Sequence, residues 1–279
     1  MIAVDLSGKT ALVTGGTRGI GLAVALQLAK AGAQLYLTYR WGTADTAALF
    51  QAFTQVTDIK PVLIEADVSV EDDTVRLLDT IAAGADRIDI FVSNASIALL
   101  TASIDEYKKK SLFKTIEYST WPMIDYTRKI KERFGSYPRY IIGISSDGPD
   151  NFYQGYDFVA ASKGLLEIFS RYLSIHLAAE GCRVNVVRFG PVETDSFNQV
   201  FGDGFFEYVR KHGVSDTMLL KIEDCGKTIV ALCSGLLDGV NGQILTVDNG
   251  LSFGNNIIMQ YLHSKSSHSG PDNTSASGS

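Results

Sequence analysis

Apolar runs of strand length alternate with amphipathic helical stretches along nearly the whole chain, and this rhythm restricts the fold more than any other property of the sequence. Residues 10–13, 34–38, 62–64, 88–92, 139–144, 183–187 and 243–247 are rich in β-branched and aromatic side chains, which suit a buried pleated surface. Between them, residues 21–31, 44–57, 70–83, 108–134, 156–179 and 222–233 repeat apolar positions at helical spacing. Neighbouring parallel strands need a crossover long enough to hold a helix, and here every interval is long enough. The pattern therefore predicts an α/β, doubly wound sheet of seven parallel strands with helices on both faces and ligands at the carboxyl ends of the strands.

Composition excludes several classes. At 279 residues the chain can bury roughly three quarters of its unfolded surface, so a substantial core is available. A net charge of -6 gives no electrostatic case for nucleic acid or an anionic membrane, though it permits a local basic pocket. Cys182, Cys225 and Cys233 are odd in number and widely spaced, which predicts buried thiols rather than disulfides, and no metal site is expected. Residues 1–8 lack the pattern of a signal peptide and no stretch approaches a membrane span, so a cytoplasmic location is expected. Residues 1–253 read as a single domain with a mobile lid at about 195–217. Residues 254–279 read as an extension, disordered after about 264, where Ser, Gly and Asn dominate.

The first strand runs into Thr14-Gly-Gly-Thr-Arg-Gly-Ile-Gly21 just before a helix. Glycines at 15, 19 and 21 let the backbone turn tightly and approach a pyrophosphate, whose charge is met by amides and the positive end of the helix dipole. In the second strand, Thr38-Tyr39-Arg40 stands where an NAD binder commonly places an acid against the ribose hydroxyl. Arg40 and Arg18 supply guanidinium groups suited to a phosphate, which favours NADPH over NADH.

The spacing Gly-x-x-x-Gly-x-Gly after Thr14, with the later motifs in order, resembles the short-chain dehydrogenase/reductase family over about residues 5–253. The resemblance implies a Rossmann-type fold and a dinucleotide held by Gly15, Thr17, Arg18, Gly19, Ile20, Gly21, Tyr39, Arg40, Asp67, Val68, Asn94, Ala95, Lys163, Gly190, Pro191, Val192 and Thr194. Three positions depart from the family pattern. Ser96 replaces the last glycine of Asn-Asn-Ala-Gly, Glu117 stands near the place of a relay Asn, and Gly190-Pro191 reverses a Pro-Gly pair. Glu117 reads equally as a relay carboxylate or a solvated residue.

The same resemblance implies that Ser146, Tyr156 and Lys163 are catalytic. Ser146 precedes Lys163 by 17 residues, the family separation, and Lys163 is expected to hold the nicotinamide ribose and lower the pKa of the tyrosine. Tyr156 lies seven residues before Lys163, almost two helical turns, so both groups project from one face. The usual separation is four, and the residue there is Val159, which has no proton to give. Tyr153 and Tyr172 are competing phenols nearby.

Tyr-x6-Lys resembles the enoyl-thioester reductases of type II fatty-acid synthesis. A tyrosine rooted three residues further back is displaced by about 4.5 Å along the helix, in the sense needed to meet a thioester enolate oxygen lying away from the carbon that accepts hydride. The expected function is NADPH-dependent reduction of an α,β-unsaturated acyl thioester, free or carrier-bound. A ketoreductase is the first alternative and a catalytically silent dinucleotide-binding protein the second. Phe197, Phe201, Phe205, Phe206 and Tyr208 suit a lid over a fatty or aromatic acyl group, or equally a helix-packing face. The family implies a homodimer or homotetramer, with no nucleic-acid or membrane partner.

Overall fold

The computed structural model describes residues 4–40 and 45–254. Seven parallel strands form one sheet: β1 (Thr10–Val13), β2 (Gln34–Tyr39), β3 (Val62–Glu65), β4 (Ile90–Ser93), β5 (Tyr140–Ser145), β6 (Arg183–Phe189) and β7 (Ile244–Val247). Their order is β3-β2-β1-β4-β5-β6-β7, so the chain reverses direction across the sheet between β1 and β4. A crevice opens at the carboxyl ends of strands where the order reverses, and the loops after β1 and β4 flank it. The expected fold class is what the chain adopts. β1, β4 and β5 are buried along their whole length, as central strands covered on both faces must be.

Ten helices are described: α1 (Gly19–Lys30), α2 (Thr46–Thr54), α3 (Glu71–Ala82), α4 (Lys109–Ser119), α5 (Trp121–Phe134), α6 (Asp157–His176), α7 (Asp195–Phe201), α8 (Phe205–Lys211), α9 (Ile222–Cys233) and α10 (Leu251–Gly254). One layer of core joins Val13, Val24, Leu28, Leu35, Val187 and Ile229 beneath α1 and α9. The other joins Leu12, Phe91, Met123, Tyr126, Leu166 and Val186 beneath α3, α5 and α6. The three cysteines are buried and free, and burial raises their thiol pKa values, that of Cys225 to about 12. Among the described residues no helix is long and apolar enough to cross a membrane.

One expectation needs correction. The single helix expected over 108–134 is two, broken at Thr120, whose φ of -117° and ψ of -54° lie off the helical values. Pro122 has no amide hydrogen to donate and so sits in the first turn of the second helix, where none is needed. The extension expected to be disordered after about 264 lies outside the described residues.

α1 and α9 pack closely because Gly226 has no side chain: a Cβ there would stand 2.4 Å from the carbonyl oxygen of Ala23. This contact fixes the helix that starts at the glycine loop. Gly226→Ala is expected to lower stability by about 1–3 kcal/mol, while Gly239→Ala, where nothing lies within 4 Å of the new methyl, is expected to stay within about 0.5 kcal/mol. Chemical denaturation of both variants checks this, and equal effects would refute the packing argument.

Candidate functional site

A cleft of ≈ 960 Å³ runs along the carboxyl ends of the strands, from Arg40 at one end to the aromatic residues of α7 and α8 at the other. Its first wall is the glycine turn. Gly15 and Gly19 have φ of +62° and +55°, in the left-handed region that side chains disfavour. Gly21 has a different reason: a Cβ would lie 2.2 Å from the oxygen of Gly15 and 2.6 Å from the amide nitrogen of Asn94. The first turn of α1 carries no acid, which leaves its positive end open to an anion.

A polar clasp closes the switch point. Thr14 Oγ1 accepts the amides of Asn94 and Ala95 at 3.0 and 3.1 Å. The Asn94 side chain returns two hydrogen bonds, to the carbonyls of Thr14 and Gly15, at 2.9 and 3.1 Å. The Gly15 amide donates to Thr38 Oγ1 on β2 at 3.0 Å. Three strand ends are thereby held in register around the turn.

At the Arg40 end, Asp67 is gripped from several sides. Its carboxylate accepts from the amide and hydroxyl of Ser69, from the Tyr118 hydroxyl at 2.8 Å, and pairs with Arg40 at 3.0 Å. Burial pushes the Asp67 pKa up, but these donors outweigh it and hold the acid below its usual range. The Arg40 guanidinium lies over the Tyr118 ring, 5.1 Å from its centre. Tyr118 lines this end of the cleft and was not foreseen, because its place on α4 depends on where that helix breaks.

Lys163 lies on α6 and is 6% exposed. Its ammonium donates to the Ile144 carbonyl at the end of β5 at 2.8 Å. Burial pulls its pKa down to about 8, opposed by the negative charge of Glu167 one turn along the helix. Glu167 forms a two-pronged pair with Arg188 of β6, both contacts at 2.6 Å, and accepts the Ser145 hydroxyl at 2.7 Å. Arg188 also binds Asp150. β5, α6 and β6, the strand leading to Gly190, thus share one buried polar network.

Tyr156 caps the start of α6 rather than standing within it, and its hydroxyl donates to Ser146 Oγ at 3.4 Å. Val159 is buried and lines the cleft. Tyr172 is 64% exposed on the outer side of α6, whereas Tyr153 lines the cleft. The expected lowering of the Tyr156 pKa by Lys163 is overturned. Burial raises that pKa, the Ser146 hydrogen bond opposes the rise, and the charge of Asp147 adds to it. The Lys163 ammonium donates to the Ile144 carbonyl and has no part in that shift.

Most residues expected from sequence meet in this cleft: Gly15, Thr17, Arg18, Gly19, Ile20, Gly21, Tyr39, Arg40, Val68, Asn94, Ala95, Ser146, Tyr156, Lys163, Gly190, Pro191 and Val192 line it. Asp67 stands behind Arg40. Thr194 spends its hydroxyl capping α7, at the Phe197 amide, although a Cβ on Gly19 would come within 3.8 Å of it. Glu117 is exposed, so of its two readings the solvated one holds. Instead Ser119, buried two residues later, pairs with Ser96 at 2.8 Å at the cleft wall. The aromatic segment divides: Phe206 and Val209 bury against Leu219 and Leu251, while Phe197, Phe201 and Phe205 face the cleft.

A sequence profile described as enoyl-(acyl carrier protein) reductase matches residues 15–252. The chain belongs to the short-chain dehydrogenase/reductase family. It is an oxidoreductase, 27% identical over 252 residues to 1-cyclohexenylcarbonyl-CoA reductase of Streptomyces collinus, covering 88% of this chain and 87% of the relative. It is 26% identical to the enoyl-(acyl-carrier-protein) reductase (NADH) of Aquifex aeolicus, covering 88% and 92% of the two chains. Relatives of comparable identity carry the names of dehydrogenases as well as reductases. A short-chain dehydrogenase of Burkholderia cenocepacia J2315 solved in complex with NADP superposes with a TM-score of 0.76 at 25% identity, covering 88% of this chain and 99% of that one.

The buried Lys163 sets a pH dependence. Between about 8, its pKa in the fold, and the ordinary 10.5, the folded chain has released a proton that the unfolded chain still holds. The unfolded state then binds more protons, so stability rises with pH across that window. Denaturation of the ligand-free protein at pH values below, within and above the window is expected to show wild type gaining on Lys163→Met as pH rises. A constant difference would show that Lys163 stays charged in the fold.

Proposed function

We propose that the chain is an NADPH-dependent reductase of α,β-unsaturated acyl thioesters. The observation that carries this reading is the position of the donor. Tyr156, at the cap of α6, presents its phenol to the cleft beside Ser146, while the position four residues before Lys163 is filled by the apolar Val159. A donor set back along the helix suits a substrate whose developing negative charge lies on the thioester oxygen, away from the carbon being reduced. The raised pKa of Tyr156 keeps the phenol protonated, as a donor to that oxygen must be. Ser146 Oγ, already bonded to Tyr156, is a second donor at the same place.

The residues of the cleft fit a dinucleotide: a glycine-rich turn at the positive end of α1, a cation at the Arg40 end and the Lys163 ammonium farther along. When bound, the dinucleotide supplies the hydride. Amides of the glycine turn would hold its pyrophosphate, Arg18 and Arg40 a ribose phosphate, and Lys163 the other ribose. A ketoreductase is the second reading, favoured by the Ser146 and Tyr156 contact, since two hydroxyls meeting at one point also suit a ketone oxygen. A homodimer through α4 and α6 would cover Leu165, Ile168, Phe169, Tyr172 and Ile175, which α6 leaves exposed.

NADPH oxidation is expected with a crotonyl thioester and not with an acetoacetyl thioester. Consumption only with the β-keto compound would overturn the enoyl reading in favour of the second. Tyr156→Phe is expected to lower kcat by about 10²–10³-fold, the usual loss for one donor at an oxyanion, and unchanged turnover would remove Tyr156 from the reaction. Arg40→Ala is expected to weaken NADPH binding by about 10- to 100-fold with little effect on NADH, in line with a lost charge-assisted hydrogen bond. Equal weakening of both, measured by fluorescence titration, would refute the phosphate role.

A further inference from the structure

Asp147 follows Ser146 directly and lines the cleft, half-buried. Its carboxylate accepts the Tyr153 hydroxyl at 2.7 Å, and among the described residues it enters no ion pair. Arg188, which reaches Asp150 in the same loop, pairs with Glu167 and Asp150. A carboxylate offers about four acceptor positions, and a single phenol occupies one.

The surroundings are aromatic. Tyr153 stands edge-on to Tyr156, with ring centres 6.0 Å apart at 82°, and edge-on to Phe201 of α7 at 5.6 Å and 75°. Phe201 in turn lies 5.6 Å from the Tyr156 ring. These rings fix the Tyr153 phenol. The loop is fixed as well, because the Asp147 carbonyl accepts the amides of Asp150 and Asn151 at 3.0 and 3.1 Å. A carboxylate with spare acceptor capacity, held rigidly and open to the cleft beside Tyr156, is placed to accept a hydrogen bond from a ligand.

We propose that Asp147, oriented by Tyr153, selects the substrate: it accepts a hydrogen bond from a hydroxyl on a ring-bearing acyl group and turns away substrates that carry a carboxylate. The aromatic walls give the ring its apolar contact. Asp147 adds a charged acceptor, and its sign rejects a second anion. This rests on the reading that acyl groups bind beside Tyr156, and it adds the chemistry of the part of the substrate that does not react.

The test uses cinnamoyl, hydroxycinnamoyl and carboxycinnamoyl thioesters of one thiol, with ring substituents at the meta and para positions, titrated against the full chain loaded with dinucleotide. Wild type is expected to bind the better hydroxy compound roughly tenfold or more tightly than the plain ring, and both carboxy compounds roughly tenfold or more weakly. Asp147→Asn, which keeps the shape, is expected to lose most of the discrimination against carboxylate. Tyr153→Phe is expected to retain it, since the charge remains. Equal affinities in wild type, or an unchanged ranking in Asp147→Asn, would overturn the proposal. Because binding is read rather than turnover, a protein that ranks the ligands as stated but reduces none of them would defeat the enoyl reading and leave this one standing.

Discussion

The clasp between Thr14 and Asn94 is the interaction on which the rest of the site depends. It joins the ends of β1 and β4, the two strands between which the sheet changes direction, and that junction is where a doubly wound fold has an open crevice. The crevice is narrow enough that Gly21 must have no side chain, since Asn94 and the Gly15 carbonyl occupy the space. Turn shape, helix direction and amide orientation all follow from that crowding. A loosening of a few tenths of an ångström there would move the positive end of α1 relative to β5, and so separate the two ends of the cleft.

A second polar network performs the same service on the other side of the crevice. Glu167 and Arg188 are nearly dry, and isolated charges in such a place would be destabilising. Ser145 and Asp150 complete their hydrogen bonds, so the cost is offset and the geometry becomes definite. Lys163 gains from the arrangement. Its ammonium sits one helical turn from Glu167 and against a strand carbonyl, and thus keeps a fixed place while remaining easier to deprotonate than an ordinary lysine.

Much of this was legible in the residues alone, for reasons that differ from one element to another. The five inner strands declare themselves because buried parallel strands must be apolar on both faces. The glycine turn is equally plain, since glycine takes the positive φ at 15 and 19 without the strain a side chain would bring. Tyr156 and Lys163 both line the cleft, although Tyr156 stands at the cap of α6 and not inside it. What failed depended on long-range geometry. Glu117 was placed by counting through a helix that in fact breaks at Thr120, so Ser119 has the inward position instead. The pKa of Tyr156 was misjudged because the lysine charge was assumed to reach it, whereas the fold directs that charge to Ile144. Asp147 and Tyr153 meet only because the loop between them turns back on itself, which no spacing rule announces.

The segment from Ser146 to Tyr156 is anchored at both ends and at Asp150 between them. Ser145 is tied to Glu167 on one side, Gly155 accepts the Thr101 amide at 3.1 Å on the other, and Asp150 pairs with Arg188, while the ring contacts of Tyr153 are with Tyr156 and Phe201. The stretch around Tyr153 behaves as a cassette. It can be rewritten between those anchors without disturbing the sheet or the glycine turn, so one scaffold can acquire new ligand preferences by exchanging a few residues. Divergence of substrate range among proteins of this architecture then needs no change in the machinery that carries the hydride.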